Sequence, residues 1–248
     1  MAKDLFSGHA QLYAKYRPAY PPQLFDYILS FVEEKKQAWD CATGNGQAAK
    51  VLADYFENVE ASDISEKQLE NAVQKPNIHY IVASAEHTPF EDNSFDLITV
   101  AQAYHWLNWE AFYKEATRVG KQNAVIAVWT YNLFKCDDDA VNEIIRHFYK
   151  DITGSYWDAA RKYVEEGYAT VEFNFDPLPS KDFAIAVNYN KEEFKGYLST
   201  WSGAQQYIKQ TGSSPLALIE DDLNKVWNEE DIKNFRFPIV LKIGRIKK

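Results

Sequence analysis

The chain has 248 residues, 46% of them hydrophobic and 25% charged, with a formal net charge of −9. That length suits one sizeable domain with an inserted cap rather than two full domains, and the apolar fraction excludes intrinsic disorder. The acidic balance opposes nucleic-acid binding, which needs clustered Lys and Arg; the basic Lys242, Arg245, Lys247 and Lys248 read as a solvated strand end.

Residues 22 to 35 place Leu24, Phe25, Ile28, Leu29 and Val32 at helical spacing behind a Pro pair suited to a helix start. A short apolar run at 38 to 42 follows, then the turn Thr43-Gly44-Asn45-Gly46 and a helical pattern from 47 to 56. A second strand fits 58 to 62 and ends at Asp63; Ser65 then opens a helix with capping-box spacing to Gln68. A third strand fits 78 to 83. The fourth, 95 to 101, reads FDLITVA, the continuous apolar run of a strand buried on both faces. A helix over 109 to 119 and a fifth strand over 124 to 129 complete an alternation that predicts a Rossmann-like α/β fold: a doubly wound, mostly parallel sheet with an antiparallel last strand.

After Tyr131 the pattern changes. Residues 132 to 170 carry helical spacing at Val141, Ile144, Ile145 and Phe148 and many aromatics, and read as a small helical, aromatic cap inserted after strand five. Alternating segments at 171 to 175 and 183 to 187 read as strands, 192 to 201 as a helix and 237 to 246 as the last strand. The whole chain is thus one domain: a lid over 1 to 21, a ligand-binding core over 36 to 131, the cap, and a C-terminal part over 171 to 248 that completes sheet and pocket.

Two cysteines, Cys41 and Cys136, and no Cys/His cluster give neither a disulfide scaffold nor a metal site. The first residues lack the apolar stretch of a signal peptide and no run approaches membrane-spanning length, so a cytoplasmic monomer or homodimer is expected, with no membrane partner. Sixteen Tyr and seven Trp exceed what a small core needs and suit an aromatic-lined pocket, with ordinary core packing accounting for most of them.

In an open parallel sheet ligands sit beyond the carboxyl ends of the strands, where strand order reverses. At the first such end Gly44 and Gly46 let the backbone turn tightly and approach a ligand. At the second, Asp63 offers a carboxylate to a ribose diol. This pair fits any nucleoside cofactor, and Gly44-x-Gly46-x-x-Ala49 with Asp63 also satisfies the dinucleotide fingerprint of nicotinamide enzymes. The third end reads Ser84-Ala85-Glu86-His87-Thr88-Pro89-Phe90. The fourth strand opens with Ser94-Phe95-Asp96 and ends Ala101-Gln102-Ala103-Tyr104-His105-Trp106.

With these four ends, residues 36 to 130 resemble the class I S-adenosylmethionine-dependent methyltransferases of the type 11 group. A narrower likeness to the trans-aconitate methyltransferase group, which esterifies small carboxylic acids, lies in Tyr16-Arg17-Pro18-Ala19-Tyr20-Pro21, His105-Trp106, Trp129-Thr130-Tyr131 and Tyr197 through Ser202. The resemblance implies S-adenosylmethionine as cofactor and a small-molecule methyl acceptor. It implies a methionine end held around Asp40, Ala42, Thr43, Gly44 and Gly46, a ribose on Asp63, and Ile64 and Gln68 beside the adenine. Ser84, Ala85 and Glu86 would meet the adenine edge, with Ala101 and Gln102 beneath the sulfonium. Ser84 departs from the Asp common at that position. Tyr13, Arg17 and Tyr20 would come from the lid. Tyr16, Arg17, His105, Trp106, Trp129, Tyr156, Trp157 and Trp201 are candidate walls of the acceptor pocket.

Methyl transfer from a sulfonium is an in-line displacement in which positioning does much of the work. A carboxylate acceptor is already ionised at neutral pH and needs no base; Arg17 would then anchor it. A hydroxyl or amine acceptor must lose a proton, and His105 is the candidate base, with a role as pocket wall equally open. A nicotinamide-dependent oxidoreductase and a non-catalytic S-adenosylmethionine-binding module are the competing readings.

Overall fold

The computed structural model describes residues 16–248, so Tyr13 and most of the expected lid lie outside the described residues. A helix, Pro22–Leu29, precedes β1 (Gln37–Cys41); helix Gln47–Leu52 leads to β2 (Asn58–Asp63) and helix Glu66–Glu70 to β3 (Ile78–Val82). Then come β4 (Phe95–Ala101), helix Trp109–Val119, β5 (Gly120–Tyr131) and a two-residue β6 (Lys135–Cys136). The cap holds helix Asp139–His147, a wide turn at Phe148–Ile152 and helix Arg161–Glu165. Short β7 (Asp176–Pro177), β8 (Phe183–Tyr189), helices Lys191–Ser199, Ser202–Thr211 and Glu220–Val226, and β9 (Lys233–Arg245) finish the chain.

The strands form one mixed sheet in the order β3-β2-β1-β4-β5-β9-β6, with β7 and β8 also paired to β9. β1 to β5 run parallel; β9 is antiparallel to β5 and to β8. The chain winds outward from β1 to β3 and returns to lay β4 beside β1, so strand order reverses between β1 and β4. Alternation within the strands sorts side chains onto two faces. Ala38, Leu97, Ala127 and Trp129 join the first helix in one core, while Trp39, Ile98, Val100 and Val128 meet helix Trp109–Val119 in the other. β4, between β1 and β5, is buried along six of its seven residues, as its apolar run requires. β9 instead buries every second side chain, Phe235, Phe237, Ile239, Leu241 and Ile243.

Several expected boundaries need correction. The first helix stops at Leu29 and the second at Leu52, although Val32 and Phe56 remain buried beyond them. Residues 171 to 175 are not a strand. Val171 and Phe175 turn into the core, with Phe175 against Tyr113 at 5.1 Å, so their alternation records burial without a hydrogen-bonded partner strand. The last strand begins four residues earlier than its apolar run suggests because β8 pairs along its polar start, down to Tyr189 opposite Lys233. Ser65 caps the next helix, its hydroxyl accepting from the Gln68 N–H at 3.3 Å, but the capping box is only half made, because the Ser65 N–H donates to the Asp63 carboxylate at 2.9 Å.

Candidate functional site

A cavity opens where the carboxyl ends of β1 to β4 meet the cap. Its floor comes from the strand ends. β1 delivers Ala42, Thr43 and Gly44; β2 delivers Asp63 and Ile64, with Gln68 from the following helix; beyond β3 lie Ala85 and Glu86, and β4 delivers Ala101 and Gln102. Arg17 and Tyr20, His105 and Trp106, and Trp157 and Trp201 form its walls. Ile64, although apolar, is 39% exposed here, a surface that a flat ligand would cover.

The turn after β1 is built for close approach. Gly44 and Gly46 have φ of +57° and +81°, and a Cβ on Gly46 would stand 2.3 Å from the Tyr80 hydroxyl. Ala42 and Gln102 also have positive φ, at 52° and 56°, so strained backbone flanks the reversal point on both sides. Asp63 ties the turn to β2: one carboxylate oxygen accepts from the Gly44 N–H at 2.8 Å and the other from the Ser65 N–H at 2.9 Å. Gln102 is locked to β5. Its Oε1 accepts from the Thr130 hydroxyl at 2.7 Å and the Tyr131 N–H at 2.8 Å.

Other candidate residues lie off the cavity wall. Asp40 sits beneath the turn, 1% exposed, its carboxylate accepting from the hydroxyls of Thr43 (2.5 Å) and Thr99 (2.8 Å) and from the Ala49 N–H (3.0 Å). Burial, opposed by these hydrogen bonds, pushes its pKa up to about 6. Gly46 packs against Tyr80. The Ser84 hydroxyl donates to the Glu86 carboxylate, which leaves its oxygen engaged with its own chain. Trp129 is fully buried in the core, edge-on to Tyr20 and Phe25, and Tyr156 packs at a tilt against Tyr207, ring centroids 4.9 Å apart, outside the cavity. Tyr16 stands under the Gly196 backbone, which has room for no side chain there.

His105 is 8% exposed, and its Nδ1 lies 2.9 Å from the Tyr168 hydroxyl. Burial, reinforced by the Arg161 charge, lowers its pKa to about 3, so the imidazole is neutral at physiological pH. Arg17 donates to the Tyr131 hydroxyl at 2.7 Å and the Thr200 carbonyl at 3.2 Å, and stands 5.4 Å over the Tyr197 ring. Sequence reasoning missed Arg161 and Asp158, both on the cavity wall. Trp157 lies in extended backbone ahead of the helix that Arg161 opens, so no local periodicity pairs the guanidinium with the indole 4.9 Å away; the folded cap does.

Comparison with known proteins decides the family. A methyltransferase domain model matches residues 39–128, which span β1 to β5 and the turns just described. A Dictyostelium discoideum protein named as a methyltransferase is 31% identical over 98% of this chain and 95% of its own. The chain belongs to the S-adenosylmethionine-dependent methyltransferases. A solved structure from Anaeromyxobacter dehalogenans, named as a type II methyltransferase, agrees: 35% identity, 94% of this chain and 99% of that chain covered, TM-score 0.85. A Saccharomyces cerevisiae relative, 23% identical over 93% of this chain, carries S-adenosylmethionine-dependent methyl transfer in its name. The methyltransferase's cofactor is S-adenosylmethionine, and the positive-φ glycine turn, the carboxylate at the end of β2 and the exposed Ile64 beside it fit that ligand. Among the described residues no helix is long and apolar enough to cross a membrane.

Proposed function

We propose that this methyltransferase methylates a carboxylate oxygen of a small acid. The observation that carries the reading is His105: the titratable ring at the end of β4 is held neutral, with a pKa near 3, in a cavity that also contains two guanidinium groups. Such an imidazole, buried and beside the Arg161 charge, is a poor proton acceptor at neutral pH. A carboxylate arrives ionised and asks for no proton removal. Bound S-adenosylmethionine supplies a methyl group on a positively charged sulfur. The chain's own part is placement: the β1 turn and Asp63 hold the cofactor ends, Gln102, fixed to β5, backs the reacting centre, and the cap aromatics exclude water. With the cofactor held there by the β1 turn and Asp63, a carboxylate oxygen would take its methyl group, the new O–C bond replacing the S–C bond and the electron pair remaining on sulfur. The narrower likeness to enzymes that esterify small carboxylic acids supports the same reading.

The test is turnover on a panel of small carboxylic acids, phenols and amines, measured as S-adenosylhomocysteine release and as base-labile ester formed. Ester from acids is the expected result; turnover confined to phenols or amines overturns the reading, and none on any class points to a non-catalytic module. With an acid substrate, kcat stays flat between about pH 6 and 8.5, because no group in the transfer step titrates there. His105→Asn then keeps kcat within about tenfold of the parent, whereas a general base would cost about a hundredfold or more.

A further inference from the structure

Arg161 opens the cap helix Arg161–Glu165, and its guanidinium lies 4.9 Å from the Trp157 ring centroid and 5.4 Å from that of Tyr149. Its Nε donates to the Tyr149 hydroxyl at 2.9 Å, and that hydroxyl donates onward to the Glu165 carboxylate. The directions are consistent, since the phenol gives its proton to Glu165 and keeps a lone pair for Arg161. These contacts fix the plane of the guanidinium while using one of its five N–H donors. The two terminal nitrogens make no hydrogen bond or ion pair with any described residue, although Arg161 lines the cavity. Arg17 differs: both its terminal nitrogens already donate to the protein, at Tyr131 and Thr200.

The charge of Arg161 is also felt at the reaction centre, because after burial it is the chief cause of the depressed His105 pKa. Asp158 stands on the same wall with one carboxylate oxygen accepting from the Ala160 N–H at 3.0 Å, and it forms no ion pair with Arg161. The cavity is therefore not uniformly positive. Among the described residues an anion is favoured in the plane of this oriented fork, where paired N–H donors match a carboxylate.

We propose that Arg161, oriented by Trp157 and Tyr149, is the residue that binds a carboxylate of the methyl acceptor and selects acids over their neutral analogues. This rests on the acid-acceptor reading above. The test uses the full-length protein saturated with S-adenosylhomocysteine, titrated in a calorimeter with benzoate, succinate and their shorter and longer relatives, each beside its neutral amide. At least one carboxylate binds, and its amide binds about tenfold or more weaker. Arg161→Gln weakens that carboxylate about tenfold or more, leaves the amide and S-adenosylhomocysteine within about twofold, and Arg161→Lys restores part of the loss. Unchanged unfolding midpoints in both variants keep the comparison on binding. If the parent methylates an acid and Arg161→Gln retains its KM, the anchor is wrong and the acid reading stands. If the parent binds no carboxylate in the panel, or methylates only phenols or amines, both fall.

Discussion

Asp63→Ala is expected to weaken S-adenosylmethionine binding about a hundredfold, the loss of two charge-assisted hydrogen bonds at about 1.5 kcal/mol each. The carboxylate stands at the carboxyl end of β2, on the cavity floor, with one N–H bond to each oxygen, from Gly44 and Ser65. Those two bonds set its plane at the strand end, where a carboxylate can accept from the vicinal hydroxyls of a ribose. Removing it also frees the Gly44 N–H, so the glycine turn loses the tie that holds it against β2. Asp63→Asn keeps one acceptor oxygen and the shape, and is expected to lose about tenfold, between the parent and the alanine variant. Calorimetric titration of the three proteins with S-adenosylmethionine is the check. Equal affinities for parent and Asp63→Ala would show that the ribose sits elsewhere.

The floor of this site was legible because its signals are local. A glycine that must take positive φ, a carboxylate closing a strand and a hydroxyl capping the next helix each act within a few residues, and the structure brings Gly44, Asp63 and Ser65 into direct hydrogen bonds. The FDLITVA run likewise announces a strand covered on both faces, which β4 is. What could not be read depends on partners distant in sequence. The alternation at 171 to 175 looks like a strand, yet only the two residues after it, Asp176 and Pro177, pair with β9, and β9 starts early because β8 lies along it. Trp129 and Tyr156 have the aromatic character of pocket residues, yet one is spent in the core and the other on Tyr207. Helices Ser202–Thr211 and Glu220–Val226 were not legible, since short polar helices owe their formation to packing more than to propensity. Arg161 was missed for a related reason: what marks it is the open direction of its two terminal nitrogens, which only the assembled cap defines.

Asp40 should couple cofactor affinity to pH. With its pKa raised to about 6, the ligand-free protein carries Asp40 increasingly protonated below that pH. If the ionised carboxylate is what favours the cofactor's ammonium above the turn, affinity falls as pH drops through about 6, by about thirtyfold between pH 7.5 and 4.5 for a single linked proton. Asp40→Asn, neutral throughout, binds more weakly at pH 7.5 and shows no such dependence. Stability has the opposite sign. The folded-state pKa lies above the unfolded one, so this group's contribution is fully present below about pH 4 and is lost as pH rises through about 6, a change of about 3 kcal/mol for a shift from 3.8 to about 6. Urea unfolding of the ligand-free parent and Asp40→Asn across this range isolates the effect, because the other titrations cancel in the difference. Parallel stability curves would show that Asp40 is not strained when ionised. Diverging curves together with a flat affinity profile for Asp40→Asn would show the buried charge to be a cost of folding that cofactor binding offsets, which accounts for a carboxylate placed beneath the turn rather than on the cavity wall.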